Sequence, residues 1–276
     1  MISIETILAI ATAVTTASYF LYNRYNKRNY IKRIRSKDDP DIEELVEVYE
    51  KIIDSNVKID QQCLILGLEV FKDYNLRDYL FVAKSAKKII GFTDATMDLD
   101  RNFLFVSYFG IDKSNKIARE NTSIRMASYL LKYITKKHRG INGIFFEVES
   151  PLNDISNSVR LSARIKTFKN LFKKIDFDAW EIDYDFIQPQ ISNSDGLILD
   201  EQKTRLMYVP FDKTSITTHI DKAIILKLLE TIYFNIYDRV IKYSETDEVF
   251  IQNYPVYISG IHKKYIDELA QKIKVK

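Results

Sequence analysis

Residues Arg101 to Lys137 read RNFLFVSYFGIDKSNKIARENTSIRMASYLLKYITKK, and this stretch decides the fold. Phe103 to Ile111 is an apolar, aromatic run of strand character. A polar, basic loop follows it. Ile124, Ala127, Leu131 and Ile134 then fall on one stripe of a helix. In a strand, loop and helix start of this order, backbone N–H groups and the helix dipole favour a bound anion. Lys116, Arg119 and Arg125 add charge there, and Asn121, Thr122 and Ser123 add amide and hydroxyl donors. The same residues also read as a solvated loop with an ordinary N-cap.

Upstream, Tyr30 to Arg35 alternates and predicts a strand. Asp38-Asp39-Pro40-Asp41 is a helix-start signal, and Ile42, Leu45, Val46, Tyr49, Ile52 and Ile53 keep helical period after it. A less regular helix is expected over about Asp60 to Tyr74. Tyr79 to Ala83 and Lys88 to Met97 predict two strands joined by a hairpin-like Lys84-Ser85-Ala86-Lys87. Downstream, Ile144 to Val148 predicts a strand between Gly143 and Pro151. Ile165, Phe168, Leu171, Phe172 and Ile175 mark a helix, and Trp180 to Ile187 and Thr204 to Val209 predict two closing strands. This order predicts a mixed α/β (α+β) domain over 30–212, with a central sheet flanked by helices. From 213 to 276 the pattern is helical. Ile225, Leu228, Leu229, Ile232 and Ile236 form one apolar face, and Ile258, Ile261, Tyr265 and Leu269 form another. Such faces pack onto the domain or onto a partner copy, so the extension is a candidate homodimer surface.

The 276 residues are 46% hydrophobic and 29% charged, enough for one large domain with a real core. The net charge of +3 is uneven. Arg24, Lys27, Arg28, Lys32, Arg33, Arg35 and Lys37 face only Glu5 within residues 1–37, leaving 34 basic and 37 acidic residues in the rest. A body of that sign has no broad nucleic-acid footprint. Cys63 is the sole cysteine, which excludes an internal disulfide. His138, His219 and His262 are far apart without cysteine partners, so no metal site is expected.

Ile2 to Tyr22 (ISIETILAIATAVTTASYFLY) carries only Glu5 as a charge. Its length matches the roughly 20 residues that span a bilayer. No Lys or Arg precedes the apolar run, as a cleaved signal peptide would require. The basic cluster follows it instead, at a length that suits a membrane anchor over 1–23 and a basic linker over 24–29. The positive-inside rule then predicts a single-pass chain with its main domain cytoplasmic.

The strand Phe103–Ile111 with its loop and Leu130-Leu131 helix resembles the acetyl-coenzyme A segment of the GNAT N-acetyltransferase family. Gly143-Ile-Phe-Phe-Glu-Val-Glu-Ser-Pro151, Leu171-Phe-Lys-Lys-Ile-Asp-Phe177, Tyr184-Asp-Phe-Ile-Gln-Pro189 and Leu206-Met-Tyr-Val-Pro210 resemble later segments of it, in order. The resemblance implies an acetyl-CoA cofactor, its pantetheine arm pairing with backbone around Phe109, Gly110 and Ile111. It implies phosphate binding by Lys116, Arg119, Asn121, Thr122, Ser123 and Arg125. The acceptor would be the amine of a small molecule or peptide, and no residue pattern selects which. The family's phosphate loop reads Arg or Gln, two residues, Gly, one residue, then Gly or Ala; in register this chain has Thr122, Arg125 and Ala127 at those three places, and Ala127 alone fits the pattern. Glu147 and Glu149 share one face of a strand by alternation, so they are candidate proton acceptors or mark a strand end emerging into solvent. The family's thiolate-protonating tyrosine falls on Phe172, which has no proton to give. Tyr184 or Tyr208 is the candidate substitute. Two functions follow from the resemblance: a membrane-anchored N-acetyltransferase, or a catalytically inactive module of the same fold that binds or scaffolds at the membrane face.

Overall fold

The computed structural model describes residues 29–53, 64–65, 67–68, 75–112, 114, 119–149, 155–189, 202–212, 219–244 and 248–276. Strand β1 (Asn29–Ile34) is followed by α1 (Ile42–Ile52), then β2 (Leu76–Ser85), β3 (Lys88–Asp98) and β4 (Phe103–Ile111). Next come α2 (Arg119–Lys137), β5 (Gly143–Glu149), α3 (Ile155–Lys173), β6 (Trp180–Gln188) and β7 (Gln202–Pro210). The extension holds β8 (His219–Asp221), α4 (Lys222–Glu230), a π-helical segment (Thr231–Tyr237), α5 (Asp238–Ser244), α6 (Glu248–Glu268) and β9 (Lys272–Lys274). The main sheet has the order β1-β2-β3-β4-β5-β7-β6, and β8 pairs with β9. Every pairing is antiparallel except β4 with β5. The mixed α/β reading therefore holds. β1 starts at Asn29, one residue inside the expected linker. The expected anchor at Ile2–Tyr22 and most of the expected Asp60–Tyr74 helix lie outside the described residues. Among the described residues no helix is long and apolar enough to cross a membrane.

Side-chain alternation gives the sheet two apolar faces. Tyr79, Phe81, Leu104, Val106, Ile144, Phe146 and Val148 point to one face and are covered by α2 and α3 through Leu131, Ile134, Ile165 and Phe172. The other face is shared. Helix α1 covers Leu80, Val82 and Phe92 with Leu45, Val48 and Tyr49. The extension covers Phe103, Phe105, Phe145, Leu206 and Tyr208 with Ile225, Leu228, Ile232, Ile258, Ile261 and Tyr265. Both apolar stripes of the extension are thus spent on the chain's own sheet.

Polar contacts register the extension on the strands. Thr231 Oγ1 and Asn235 Nδ2 donate to Asp98 Oδ2 at 2.7 and 3.2 Å. The Tyr233 hydroxyl donates to Ile187 O at 2.7 Å, and Arg239 pairs with Asp78 at 2.9 Å. At the other end of the sheet, the expected helix-start acid Asp41 makes no side-chain cap to α1. Its carboxylate instead takes Lys32 at 2.8 Å and the buried Lys84. Those cations hold it below the usual carboxylate range against the opposing push of burial.

The β2–β3 hairpin turns through Ala86 (φ 49°) and Lys87 (φ 76°), both in the left-handed region. Hairpins of this kind favour glycine there because a Cβ is crowded. Lys87 is exposed. Lys87→Gly is therefore expected to raise stability by about 1 kcal/mol, read as a higher urea midpoint at an unchanged slope.

Candidate active site

β4 and β5 stay in parallel register from Phe103–Gly143 to Val106–Phe146 and then part. Past that point β4 keeps to β3, reaching Ile111 opposite Gly91, while β5 keeps to β7, reaching Glu149 opposite Thr204. A bulge causes the split. Asp94 faces Tyr108 and Ala95 faces Val106, so Ser107 is the extra residue on β4. A bulge bends its strand and increases the local twist. It also resets which side chains face which way. Tyr108 now meets Tyr49 of α1, with ring centroids 5.4 Å apart. Phe109 turns to the opposite face, against Phe168 of α3.

Among the described residues, the split leaves the end of β4 without a strand on its β5 side. The Asp112 N–H donates to Ile90 O on β3 at 2.9 Å. Alternation therefore points the N–H and C=O of Phe109 and Ile111 away from β3, into the gap. Gly110 serves packing: a Cβ there would lie 2.6 Å from Ile52 Cδ1 of α1. Helix α2 begins at Arg119, eight residues after β4 ends, with its N-terminal N–H groups unsatisfied by the helix itself.

Glu147 is the first residue of β5 beyond the last β4–β5 pair, and it faces the extension. Its Oε2 accepts from the Tyr237 hydroxyl at 2.6 Å. Burial pushes the Glu147 carboxyl up to about 7, against the pull of the Tyr237 and Thr204 hydroxyls. Burial and the Glu147 charge together raise the Tyr237 phenol well above its ordinary value. Asp94, at the bulge, has Asp78 and Arg239 as its charged neighbours. Burial and the neighbouring Asp78 raise its carboxyl, while Arg239 opposes them. Asp78 is itself held by Arg239 and by the Thr96 hydroxyl at 2.6 Å.

The residues expected from sequence are dispersed more than the resemblance implies. Phe109, Gly110, Ile111 and Glu147 border the gap. Glu149 is on the same strand, and its side chain lies outside the described residues, as do Lys116 and the side chain of Arg119. Asn121 is exposed, Thr122 buried and Ser123 half-buried in the first turns of α2. Arg125 donates to the Asn29 carbonyl of β1 at 2.5 Å, so its guanidinium ties α2 to the edge strand. Tyr184 lies on β6, two strands from β5, and its hydroxyl donates to Glu268 of α6 at 3.3 Å. The Tyr208 hydroxyl donates to Asn142 O at 3.0 Å. Phe172 is buried and stacked on Phe146, 5.8 Å between ring centroids. Sequence reading missed Tyr237, Asp78, Asp94 and Arg239. Asp94 had a signal, a charge inside the apolar run KIIGFTDATMD. Tyr237 had none among 18 tyrosines.

No family model matches the sequence, and no curated protein does either. Solved structures do resemble it. A protein assigned to the GNAT acetyltransferases from Bacteroides thetaiotaomicron is 17% identical, with 75% of this chain and 99% of that one aligned at a TM-score of 0.48. A probable acetyltransferase from Staphylococcus epidermidis is 10% identical over 66% of this chain and 99% of that one, at 0.44. A protein from Bacillus anthracis, assigned as a streptothricin acetyltransferase and solved with acetyl coenzyme A, is 15% identical over 49% and 63%, at 0.33. At these scores the likenesses carry neither an activity nor a substrate to this chain. Its fold stands on the sheet order, the parallel β4–β5 pair and the split at Ser107.

Proposed function

We propose that this chain is an N-acetyltransferase that uses acetyl-CoA, with an amine as acceptor. The observation that carries this reading is the split between β4 and β5, which among the described residues leaves the backbone of Phe109 and Ile111 without a strand partner on the side of the half-buried Glu147. An extended amide-bearing chain satisfies such backbone groups as a missing strand would. Acetyl-CoA bound there supplies a thioester carbonyl: the amine nitrogen forms the new C–N bond, the C–S bond breaks, and a proton released by the amine ends on the leaving sulfur. The N-terminus of α2 favours the cofactor's phosphates by its dipole, assisted by Arg119. Arg125, engaged with β1, is left out of that role.

Before attack the acceptor must lose a proton, because an alkyl ammonium is not nucleophilic. A carboxyl titrating near 7 is matched to that task. Glu147 accepts the proton as a carboxylate. A single-pass anchor at residues 1–23, with the domain on the cytoplasmic side, belongs to the same proposal. It is supported by the apolar length and the trailing basic cluster, and carbonate extraction of membranes tests it. The inactive-module alternative has one supporting observation, the burial of Phe172 where a phenol would be needed.

Calorimetric titration of coenzyme A and acetyl-CoA into the full chain tests the reading. Micromolar binding is expected, with affinity lowered about tenfold by Arg119→Ala. Arg125→Ala is expected to leave affinity within twofold and to cost about 1–2 kcal/mol of stability, the worth of a charge-assisted hydrogen bond. No binding by the folded chain at millimolar ligand would end the cofactor assignment. Binding without acetylation of any amine in a broad panel would favour the inactive module.

A further inference from the structure

The extension reaches the site through one side chain. The π-helical segment sends two rows of residues to the sheet: Thr231 and Asn235 to Asp98, and Tyr233 and Tyr237 to β6 and β5. Tyr233 and Tyr237 stack with centroids 6.4 Å apart and planes 21° apart. Tyr233 is pinned by its own bond to Ile187 O, so the stack limits where the Tyr237 ring can go. Segments of π-helix are rare and concentrate at functional sites, because the wider turn re-aims side chains that a regular α-helix would place elsewhere.

We propose that Tyr237 is a positioning residue for Glu147: its hydroxyl fixes Oε2 and leaves Oε1 to take the proton of the acceptor ammonium. This rests on the acetyltransferase reading above. The step is a single proton transfer, in which the ammonium becomes a neutral amine and Glu147 becomes a neutral acid. Tyr237 keeps its own proton throughout, as its raised phenol requires. The extension then completes the acceptor side of the site as well as covering apolar surface. The titratable groups facing Glu147 are Tyr237 and, through the stack, Tyr233. Thr204 of β7 faces it as a neutral hydroxyl, and Glu149 shares its strand face by alternation.

The test is the titration of Glu147 in the full chain, followed by 13C NMR of labelled glutamate carboxyls and assigned with Glu147→Gln. A hydrogen bond to the charged form stabilises it, so Tyr237→Phe is expected to raise the Glu147 midpoint by about 1 pH unit. The acid limb of kcat/KM should move up by the same amount. Tyr254→Phe is the control. The Tyr254 hydroxyl is buried without a hydrogen-bond partner among the described residues, so its loss should leave the midpoint in place. Thermal unfolding of both variants reports whether they fold. If Tyr237→Phe does not fold, Tyr233→Phe carries the same titration: it releases the stack from Ile187 O, should raise the Glu147 midpoint by a smaller amount, and overturns the proposal if the midpoint stays in place. An unmoved Glu147 midpoint in a folded Tyr237→Phe protein overturns the proposal. Absence of turnover with a shifted midpoint would overturn the acetyltransferase reading and leave the positioning contact standing.

Discussion

Asp98→Ala is expected to cost about 4 kcal/mol of stability, the largest loss of any single substitution argued for this chain. Asp98 is fully buried at the end of β3. Its Oδ1 accepts from the Asp100 and Arg101 backbone N–H groups, each at 2.9 Å. Its Oδ2 accepts from Thr231 Oγ1, from Asn235 and from the Arg101 guanidinium at 3.1 Å. One carboxylate thus shapes the β3–β4 turn and latches the extension to the sheet. Alanine leaves two turn amides without their acceptor, while the buried Thr231 hydroxyl keeps only Lys227 O, at 3.1 Å. Arg101 is partly compensated, because it also reaches Glu230 at 3.3 Å. In a chain of this length the loss corresponds to a fall in Tm of about 10 °C. Differential scanning calorimetry checks it. Asp98→Asn keeps one acceptor oxygen and should lose about half as much. A loss under about 1 kcal/mol for alanine would mean that apolar packing alone holds the extension in place.

The outline of the fold was legible because its signals are local. Phe103–Ile111 is a strand with the limits its composition suggests, and the stripe Ala127, Leu131, Ile134 is the buried side of α2. The apolar faces of the extension are periodic, so they were readable, but their target was not. The same stripe would suit a second copy, and only the sheet's apolar Phe103–Phe145–Tyr208 face, which the extension buries, decides for the intramolecular answer. The site was less legible for reasons of parity. FLFVSYFGI is apolar at nearly every position, so no alternation marks Ser107 as the extra residue. Without that bulge neither the split of β4 from β5 nor the facing of Phe109 can be deduced. Arg125 is a second case. A basic residue near a helix start suits an anion by charge, yet the neighbouring edge strand offered it a backbone carbonyl at close range. Tyr237 depends on a contact across 90 residues of sequence, and nothing local in TIYFNIY announces it.

Glu147→Gln is expected to lower kcat/KM for acetyl transfer by about 10²–10³-fold, the range for loss of a general base, while leaving acetyl-CoA affinity unchanged. The amide preserves shape and can still accept from Tyr237, so the loss isolates proton transfer. The same substitution should stabilise the protein at alkaline pH. The Glu147 carboxyl is raised on folding from an ordinary 4.5 to about 7. Between those values the folded state holds a proton that the unfolded state has released. Its contribution to stability is therefore present below about pH 4.5, falls as pH rises toward 7, and is fully lost above it. The size is on the order of 2–3 kcal/mol. Asp94, raised by burial and Asp78, adds a slope of the same sign. Chemical denaturation of wild type and Glu147→Gln at pH 5 and pH 8 should show the two proteins converging at the lower pH and the variant ahead at the higher. A functional carboxylate kept where burial disfavours its charge gives opposite signs in the two measurements: activity falls and stability rises. A structural carboxylate gives the reverse for stability, because removing a satisfied ion unfolds the chain more easily at every pH where it is charged. Loss of activity together with loss of stability at pH 8 would remove Glu147 from the chemistry and return it to the latch that Asp98 already anchors.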